Sequence, residues 1–260
     1  MNTLTAPAVS IGSLIKHWRE RRRMSQLFLA NEAEISSRHL SFIETGRTAP
    51  SRAMVLRLAE YLEIPLRERN QLLTAAGFAA VFQERPLDDQ SMAPARLAVE
   101  QVLKGQEPYP ALAIDRHWNL ISANGAVAAL IADADPSLLE PPANVLRLSL
   151  HPRGLASKIV NLGQWRAHLL DRLGSQIGLT ADPQLIALRD ELSSYPGGSG
   201  HDDAVETSIA IPFVLSTAAG QLSFISTTLV FGTPIDVTLS ELAIELFFPA
   251  DEATAAALKR

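Results

Sequence analysis

Residues 36–52 concentrate side chains that could bind a polyanion and read its bases. The stretch is SSRHLSFIETGRTAPSR. The planar guanidinium of an arginine such as Arg38 can donate two parallel hydrogen bonds to O6 and N7 of guanine. Serine hydroxyls pair with either kind of base edge, and an aromatic ring such as Phe42 can contact a thymine methyl. The stretch would therefore suit a DNA-reading surface, although a solvated helix face and a half-buried Phe42 would fit the same letters.

The charge distribution favours a polyanionic partner for only part of the chain. The 260 residues include 23 Lys plus Arg and 28 Asp plus Glu, a net charge of −5. Residues 1–78 have a net charge of +4, whereas residues 79–260 have a net charge of −9. The first third is thus the part expected to meet a polyanion, and chance clustering is the alternative explanation.

Five short helices are predicted to position these side chains. Ser25, Ser36 and Ser51 are suitable N-cap residues, and Gly46 and Gly77 are suitable helix ends. Between these signals, apolar residues recur at the spacing of a helix. Two short helices joined by a tight turn inside such a bundle match the helix-turn-helix motif, whose second helix enters the major groove of DNA.

Residues 11–78 resemble the helix-turn-helix domain of the Xre family, the phage-repressor type. The shared features are Ser25-Gln26 before helix 2, Ile35-Ser36 before helix 3, and Ile43-Glu44-Thr45-Gly46-Arg47 after it. The resemblance implies that Gln26 holds a phosphate and that Arg19 and Glu44 form an ion pair that fixes the recognition helix. Glu34 departs from the pattern, because glycine is frequent at that turn and a glutamate with positive φ is strained. The residues expected at the DNA interface are Gln26, Ser36, Ser37, Arg38, Ser41, Phe42, Arg47 and Arg52.

The rest of the chain is predicted to form one antiparallel sheet with helices. β-type runs lie at 111–115, 118–122, 206–215, 221–231 and 241–248, and helical patterns lie at 125–131, 154–173 and 183–192. The last run also fits a helix, because a capping-box pattern begins at Thr238. This order of elements is that of a PAS-like domain. The sequence therefore predicts an α+β protein with an all-α five-helix helix-turn-helix domain at 1–78, a linker at 79–94, and at 95–260 a PAS-like antiparallel sheet domain with helices on one face.

Four segments together resemble the MmyB-like transcription regulators. They are residues 50–78, PALAIDRHWNLISAN, NVLRLSLHPRGLASKIVNLGQWRAHLLDRL and LSFISTTLVFGTPIDVTLSELAIELFFPAD. These regulators join an Xre-type DNA-binding domain to a PAS-like ligand-binding domain. The resemblance implies a ligand-sensing regulator whose pocket suits a fatty acid or a similar long apolar molecule.

Alternating apolar residues in the last strands predict a sheet face buried under helices. A concave apolar pocket could form there, and an ordinary packed core is the alternative. A carboxylate ligand would need a cationic or hydrogen-bonding anchor, for which Arg147, His151, Arg166 and His168 near the longest helix are candidates. The residues expected at the pocket are Arg147, His151, Trp165, Phe213, Phe224 and Phe231.

Several classes of protein are disfavoured by what the sequence lacks. There is no cysteine, which excludes disulfides, cysteine zinc sites and a cysteine nucleophile. No apolar run reaches the ~18 residues of a membrane span and no signal-peptide pattern opens the chain, so we expect a cytoplasmic protein with no membrane association. The common catalytic and nucleotide-binding motifs are absent, and the six histidines are scattered, with His201 in a glycine-rich loop. We therefore expect no catalytic residues, no metal site and no cofactor.

The sequence as a whole predicts a DNA-binding transcriptional regulator. Its expected partners are a double-stranded DNA operator, a small apolar ligand and a second copy of the chain in a homodimer. The alternative is a regulator whose C-terminal domain binds a partner protein instead of a small molecule. An enzyme with a DNA-binding appendage is a third class, which the missing motifs disfavour.

Overall fold

The chain forms two compact units in a computed structural model that describes residues 10–197, 210–218 and 220–259. The first unit comprises Met1–Glu84 and Pro234–Ser240, and the second comprises Arg85–Thr233 and Glu241–Arg260. Most of the predicted loop around His201 and the first part of the strand predicted at 206–215 lie outside the described residues.

The first unit begins with the five predicted helices, and this part of the prediction is confirmed. Leu29, Leu40 and Leu58 are fully buried in their common core. The side chains of Ser25 and Ser36 each accept a hydrogen bond from the backbone N–H three residues ahead, as N-caps do. The helices are α1 (Ile11–Arg21), α2 (Gln26–Glu32), α3 (Ser37–Glu44), α4 (Arg52–Tyr61) and α5 (Leu66–Ala75).

These five helices end with the same backbone turn. After α3, the N–H of Arg47 donates to the carbonyl of Phe42 at 2.8 Å and the N–H of Gly46 donates to that of Ile43 at 3.0 Å. This pair of bonds is the Schellman motif, which places the residue after the helix in the left-handed region. Glycine fills that position after α3 and α5, but the other three helices use Arg23, Glu34 and Glu63, with φ of 54°, 54° and 49°.

Glu34→Gly is expected to raise the unfolding free energy of the first unit by up to about 1 kcal/mol. The positive φ of Glu34 costs a side-chain-bearing residue roughly 1–2 kcal/mol, part of which is offset by the extra freedom of glycine in the unfolded chain. Amide hydrogen exchange in α2 and α3 measures the change. Glu32→Gly, at the last helical residue of α2, is the matched control and should destabilise instead; the same sign for both variants would contradict the explanation.

The second unit contains one five-stranded antiparallel sheet in the order β2-β1-β5-β4-β3. The predicted α+β class is therefore confirmed. The structure also contains helices that the sequence patterns did not predict, namely α6, α8 and α12. The elements are α6 (Ala93–Gly105), β1 (Ala111–Ile114), β2 (Leu120–Ala123), α7 (Gly125–Ile131), α8 (Val145–Leu150), α9 (Leu162–Thr180), α10 (Pro183–Ser194), β3 (Phe213–Thr217), β4 (Gly220–Val230), α11 (Val237–Ser240), β5 (Ala243–Pro249) and α12 (Glu252–Leu258).

The two faces of the sheet are covered differently. On one face, Phe213, Phe224 and Phe247 pack in a large core that also contains buried residues of α8, α9 and α10. On the opposite face, Ala113 of β1 and Ile244 of β5 lie in a smaller core with buried residues of α6. Helices therefore cover one face, as predicted, and α6 covers part of the other.

The connection between β4 and β5 includes a segment of the first unit. Pro234–Ser240 belongs to that unit, and its short helix α11 contacts α5. Val237 is fully buried, and its backbone N–H donates to the carbonyl of Gln83 at 2.8 Å. Thr238 therefore lies inside this short helix, where its backbone N–H donates to Asp236. The capping-box alternative, a helix over the apolar run that follows, is wrong, because that run is strand β5.

Candidate functional site

Helix α3 presents a polar face on the surface of the first unit. Leu40 and Ile43 are fully buried, so they fix which side of the helix faces outward. Ser37 and Arg38 are exposed at its N-terminal end, after the N-cap Ser36. Ser41 and Phe42 follow on the same helix and are partly exposed, and Arg47 and Arg52 are exposed beyond its C-terminal end.

Phe42 orients two of the arginines. The guanidinium carbon of Arg38 lies 5.3 Å from the centroid of the Phe42 ring, and that of Arg47 lies 5.6 Å from it. These distances are within the range of cation–π attraction. In the described part of the chain, Arg38, Arg47 and Arg52 have no carboxylate partner, so their charges remain available to an anion. The ring of Phe42 is thus partly buried and packs against the two guanidinium groups.

A buried ion pair joins α1 to the end of α3. The Nε and Nη2 atoms of Arg19 donate to the two carboxylate oxygens of Glu44 at 2.6 and 2.9 Å. The hydrogen bond to Glu44 raises the pKa of Arg19. Gln26 joins the pair, because its Nε2 donates to Glu44 at 2.7 Å. In this structure the amide of Gln26, which the sequence predicts to hold a phosphate, is therefore bonded to the ion pair.

Gly12 allows α1 to lie directly against α3. A Cβ atom at this position would be 2.3 Å from the carbonyl oxygen of Ile43 and 2.7 Å from that of Glu44. Such distances are far below van der Waals contact, and the obstructing atoms are backbone. Any larger residue would push the two helices apart at the point where the ion pair forms, so Gly12 belongs to the supporting framework of α3.

The second unit contains an apolar cavity of about 90 Å³ between the sheet and helices α7, α8 and α9. Its polar lining side chains, apart from two tryptophan indoles, are Ser149, Arg172 and Glu245. The indole N–H of Trp165 donates to Ser149 at 3.0 Å and that of Trp118 donates to Gln176 at 2.7 Å. Because their N–H groups are bonded, both indoles present mainly apolar surface to the cavity.

The residues predicted to form the pocket occupy different places. Trp165, Phe213 and Phe224 line the cavity, where the Trp165 and Phe213 ring centroids are 4.8 Å apart. Phe231 instead lies beside the small core under α6. On β5 the cavity-lining aromatic residue is Phe247, which sequence alternation alone did not identify.

Arg147 and His151 lie in a polar cluster and do not line the cavity. Arg147 donates to both carboxylate oxygens of Glu191 at 2.8 and 2.7 Å, and the ring of His151 packs edge-on against Tyr195 at 5.0 Å. Burial and the hydrogen bond to Glu191 raise the pKa of Tyr195 to about 12. Arg166, another candidate anchor, donates a hydrogen bond to the carbonyl of Ser193 at 2.6 Å and so helps to end α10. His168 faces an open cleft lined by Arg172.

Family models match both units of the chain. One, described as a helix-turn-helix domain, matches residues 10–72. Another, described as the MmyB-like transcription regulator ligand binding domain, matches residues 95–260. The chain belongs to the MmyB-like transcription regulators. A search of curated proteins found no match.

In this MmyB-like regulator, the two family models assign different roles to the two units. The first unit contains the helix-turn-helix domain, whose family model covers α2 and α3. The ligand-binding domain covers most of the second unit, together with Pro234–Ser240, and the apolar cavity lies inside it. None of the described helices is both long and apolar enough to cross a membrane. Within the same described residues, His, Asp and Glu side chains form no cluster suited to a metal ion.

Glu44→Gln is expected to destabilise the first unit by about 3 kcal/mol, because the only carboxylate left near the buried guanidinium of Arg19 among the described residues is the exposed one of Glu20, 3.7 Å away. Amide hydrogen exchange in α1 and α3 measures the loss. The matched control is Glu84→Gln, which removes one carboxylate that binds Arg67, in a pair whose Glu84 side chain is 53% exposed; that change should cost less than about 1 kcal/mol. Equal losses in the two variants would show that the Arg19 pair contributes no more than a surface ion pair.

Proposed function

We propose that this regulator binds a two-fold DNA operator through α3 and senses a small lipid-like molecule in the cavity of its second unit. The observation that carries the proposal is the exposed face of α3, where Arg38 and Arg47 flank Phe42 and have no carboxylate partner among the described residues. A helix held in place by a buried ion pair can present such groups to the major groove with a defined orientation. The proposal also has the protein act in the cytoplasm, and it involves no catalytic step and no cofactor.

The proposed DNA contacts fall into two classes. Arg38 reads guanine, and Ser37 and Ser41 read adjacent base edges, because they lie on the exposed face at the start and middle of α3. Ser36, Arg47 and Arg52 contact the phosphate backbone, which fixes the position of the protein without reading sequence. Gln26 binds a phosphate in the complex through an amide that donates to Glu44 in the free protein.

Arg38→Ala is expected to weaken binding to the cognate operator by about 1–3 kcal/mol and to relax the preference at one base pair. Arg47→Ala is the matched comparison, because it removes the other guanidinium beside Phe42. It should weaken binding to all sequences similarly and reduce the salt dependence of affinity. Fluorescence anisotropy with the operator and with scrambled DNA, across a salt series, measures both effects. If Arg38→Ala reduced specific and non-specific affinity equally, Arg38 would not be a base-reading residue.

A dimer is the proposed DNA-binding form. Helix-turn-helix proteins commonly bind two half-sites separated by one helical turn of DNA, roughly 34 Å, or by a multiple of it. Two copies of α3 at this spacing would read the half-sites symmetrically, and the operator would then be a palindrome.

The proposed ligand is a fatty acid or a similar lipid-like molecule. The nearly complete apolar lining of the cavity supports this class. Burial against such walls is favourable for an alkyl chain and unfavourable for a charged metabolite. The volume of about 90 Å³ is below the roughly 300–1,000 Å³ of drug-sized ligand sites. A long chain would therefore have to separate the helices from the sheet. Such a movement would make the ligand-bound conformation differ from the ligand-free one, as the control of a regulator by a ligand requires.

Saturating ligand is expected to change operator affinity by about 5- to 150-fold, the range of coupling free energies of ~1–3 kcal/mol. Native mass spectrometry of the purified chain first identifies any bound ligand and the oligomeric state, and a gel-shift titration with that ligand follows. Leu112→Phe, which fills the cavity, should abolish the response, whereas Ile121→Phe on exposed surface of β2 should retain it. Identical operator affinity with and without ligand would disprove the coupling.

A second candidate function is that the second unit binds a partner protein. It is favoured by Ile225 and Phe248, which face each other on adjacent strands and are 39% and 40% exposed. Exposed apolar side chains in register often mark an interface. The same native mass spectra distinguish the candidates, because a bound small molecule adds a mass of a few hundred daltons or less and a partner protein adds far more.

A further inference from the structure

Three residues lie at the boundary between the apolar cavity and an open polar cleft. Trp118, Arg172 and Glu245 line both spaces. The cleft has a volume of about 480 Å³, and most of its other lining side chains are polar. A molecule with an alkyl chain in the cavity would therefore place its polar end at these three residues.

The charge of Arg172 is already neutralised inside the protein. Its Nη2 and Nη1 atoms donate to the two carboxylate oxygens of Glu245 at 2.7 and 3.1 Å. The side chain of Glu245 is only 5% exposed, and it also accepts a hydrogen bond from the hydroxyl of Thr228 at 2.9 Å. A free carboxylate of a ligand would thus meet a neutral pair and would lie close to the negative charge of Glu245, which disfavours it.

Arg172 nevertheless keeps hydrogen-bonding capacity. A guanidinium has five N–H groups, and Arg172 uses three of them for Glu245 and Thr228. Among the described residues, none accepts a hydrogen bond from its Nε. The ring of Trp118, whose centroid is 4.9 Å from the guanidinium carbon, holds the group against the cavity wall. An uncharged oxygen acceptor could use the remaining N–H groups without adding a charge.

The cleft as a whole also disfavours an anion. Its lining includes four carboxylates but only two guanidinium groups, those of Arg116 and Arg172. His168 adds no positive charge at neutral pH, because burial and the neighbouring Arg172 lower its pKa. The carboxylates are Asp115, Asp171, Glu241 and Glu245.

We propose that the ligand has an alkyl chain and an uncharged, hydrogen-bond-accepting head group, such as an amide, an ester or an alcohol, which the N–H groups of Arg172 bind where the cavity meets the cleft. The inference rests on the proposed function, since it requires that the cavity binds a lipid-like molecule. Of the fatty acids and similar lipid-like molecules proposed above, it favours the acyl or alkyl compounds without a free carboxylate over the fatty acids themselves.

Isothermal titration calorimetry of the full chain with decanamide and decanoate, at about pH 7.5 and below their aggregation limits, tests the head group. Decanamide should bind at least about tenfold more tightly than decanoate. In Glu245→Gln, which removes one negative charge but keeps the side-chain shape, decanoate should bind about tenfold more tightly than it does to the unmodified protein. The affinity for decanamide should change little in this variant.

Glu191→Gln provides the matched control, because Glu191 also binds an arginine through two hydrogen bonds but lies outside the cavity lining. It should leave both affinities unchanged. Equal or tighter binding of decanoate to the unmodified protein would overturn the head-group inference while supporting the proposed ligand function. Binding of neither compound would overturn the proposed ligand-sensing function. If Glu245→Gln did not fold, the ranking of the two compounds on the unmodified protein would still decide the inference.

Discussion

The buried ion pair between Arg19 and Glu44 is the interaction on which the DNA-binding unit depends. It sets the angle and depth of α3, because it joins the final turn of that helix to the last turn of α1 with two parallel hydrogen bonds. Burying two charges carries a desolvation free energy that offsets much of their attraction. The pair therefore contributes less to stability than to fixing the relative position of the two helices. Gly12 also helps to fix the position of α3, because the absence of a side chain there lets the backbones of α1 and α3 come into contact.

The second unit contains a similar arginine–glutamate pair in a different role. Arg172 and Glu245 also form a buried arginine–glutamate pair with two hydrogen bonds, but this pair lies in the wall of a cavity and not between two helices. The guanidinium of Arg19 donates three hydrogen bonds to protein groups, including the carbonyl of Met24, and its side chain is only 9% exposed. The guanidinium of Arg172 also donates three, but it lines the cavity and its side chain is 27% exposed, so a ligand could reach it. The difference separates a structural pair from one that could recognise a ligand.

The helices of the first unit were predictable because their signals are local. Serine caps and glycine ends define each helix within a few residues, and Leu40 and Ile43 alone determine the exposed face of α3. Helix α6 was not predicted, because Pro94 made its start resemble a linker, although proline is tolerated in a first helical turn.

The ligand cavity was only partly predictable. Phe213 and Phe224 followed from alternation along β-type runs, and Trp165 followed from the helical spacing of the longest predicted helix. On β5, by contrast, a register offset of one residue decides whether Phe247 or Phe248 faces the cavity, and the register depends on pairing with β4. The pair of Arg172 and Glu245 joins residues 73 positions apart, so no local pattern could reveal it. A glutamate in the middle of an apolar strand was the one available signal, because an inward charge needs a partner.

The chain crosses between its two units three times, after Glu84, after Thr233 and after Ser240. The first unit is consequently completed by residues that the ribosome adds long after its five main helices, with Val237 fully buried. A gene truncated after codon 84 would encode a DNA-binding fragment that lacks this piece. Exchange of sensor domains by a single recombination event would damage the fold of the DNA-binding unit as well. We therefore expect regulators of this design to evolve as whole chains, with new ligand preferences arising from substitutions around the cavity and not from shuffled modules.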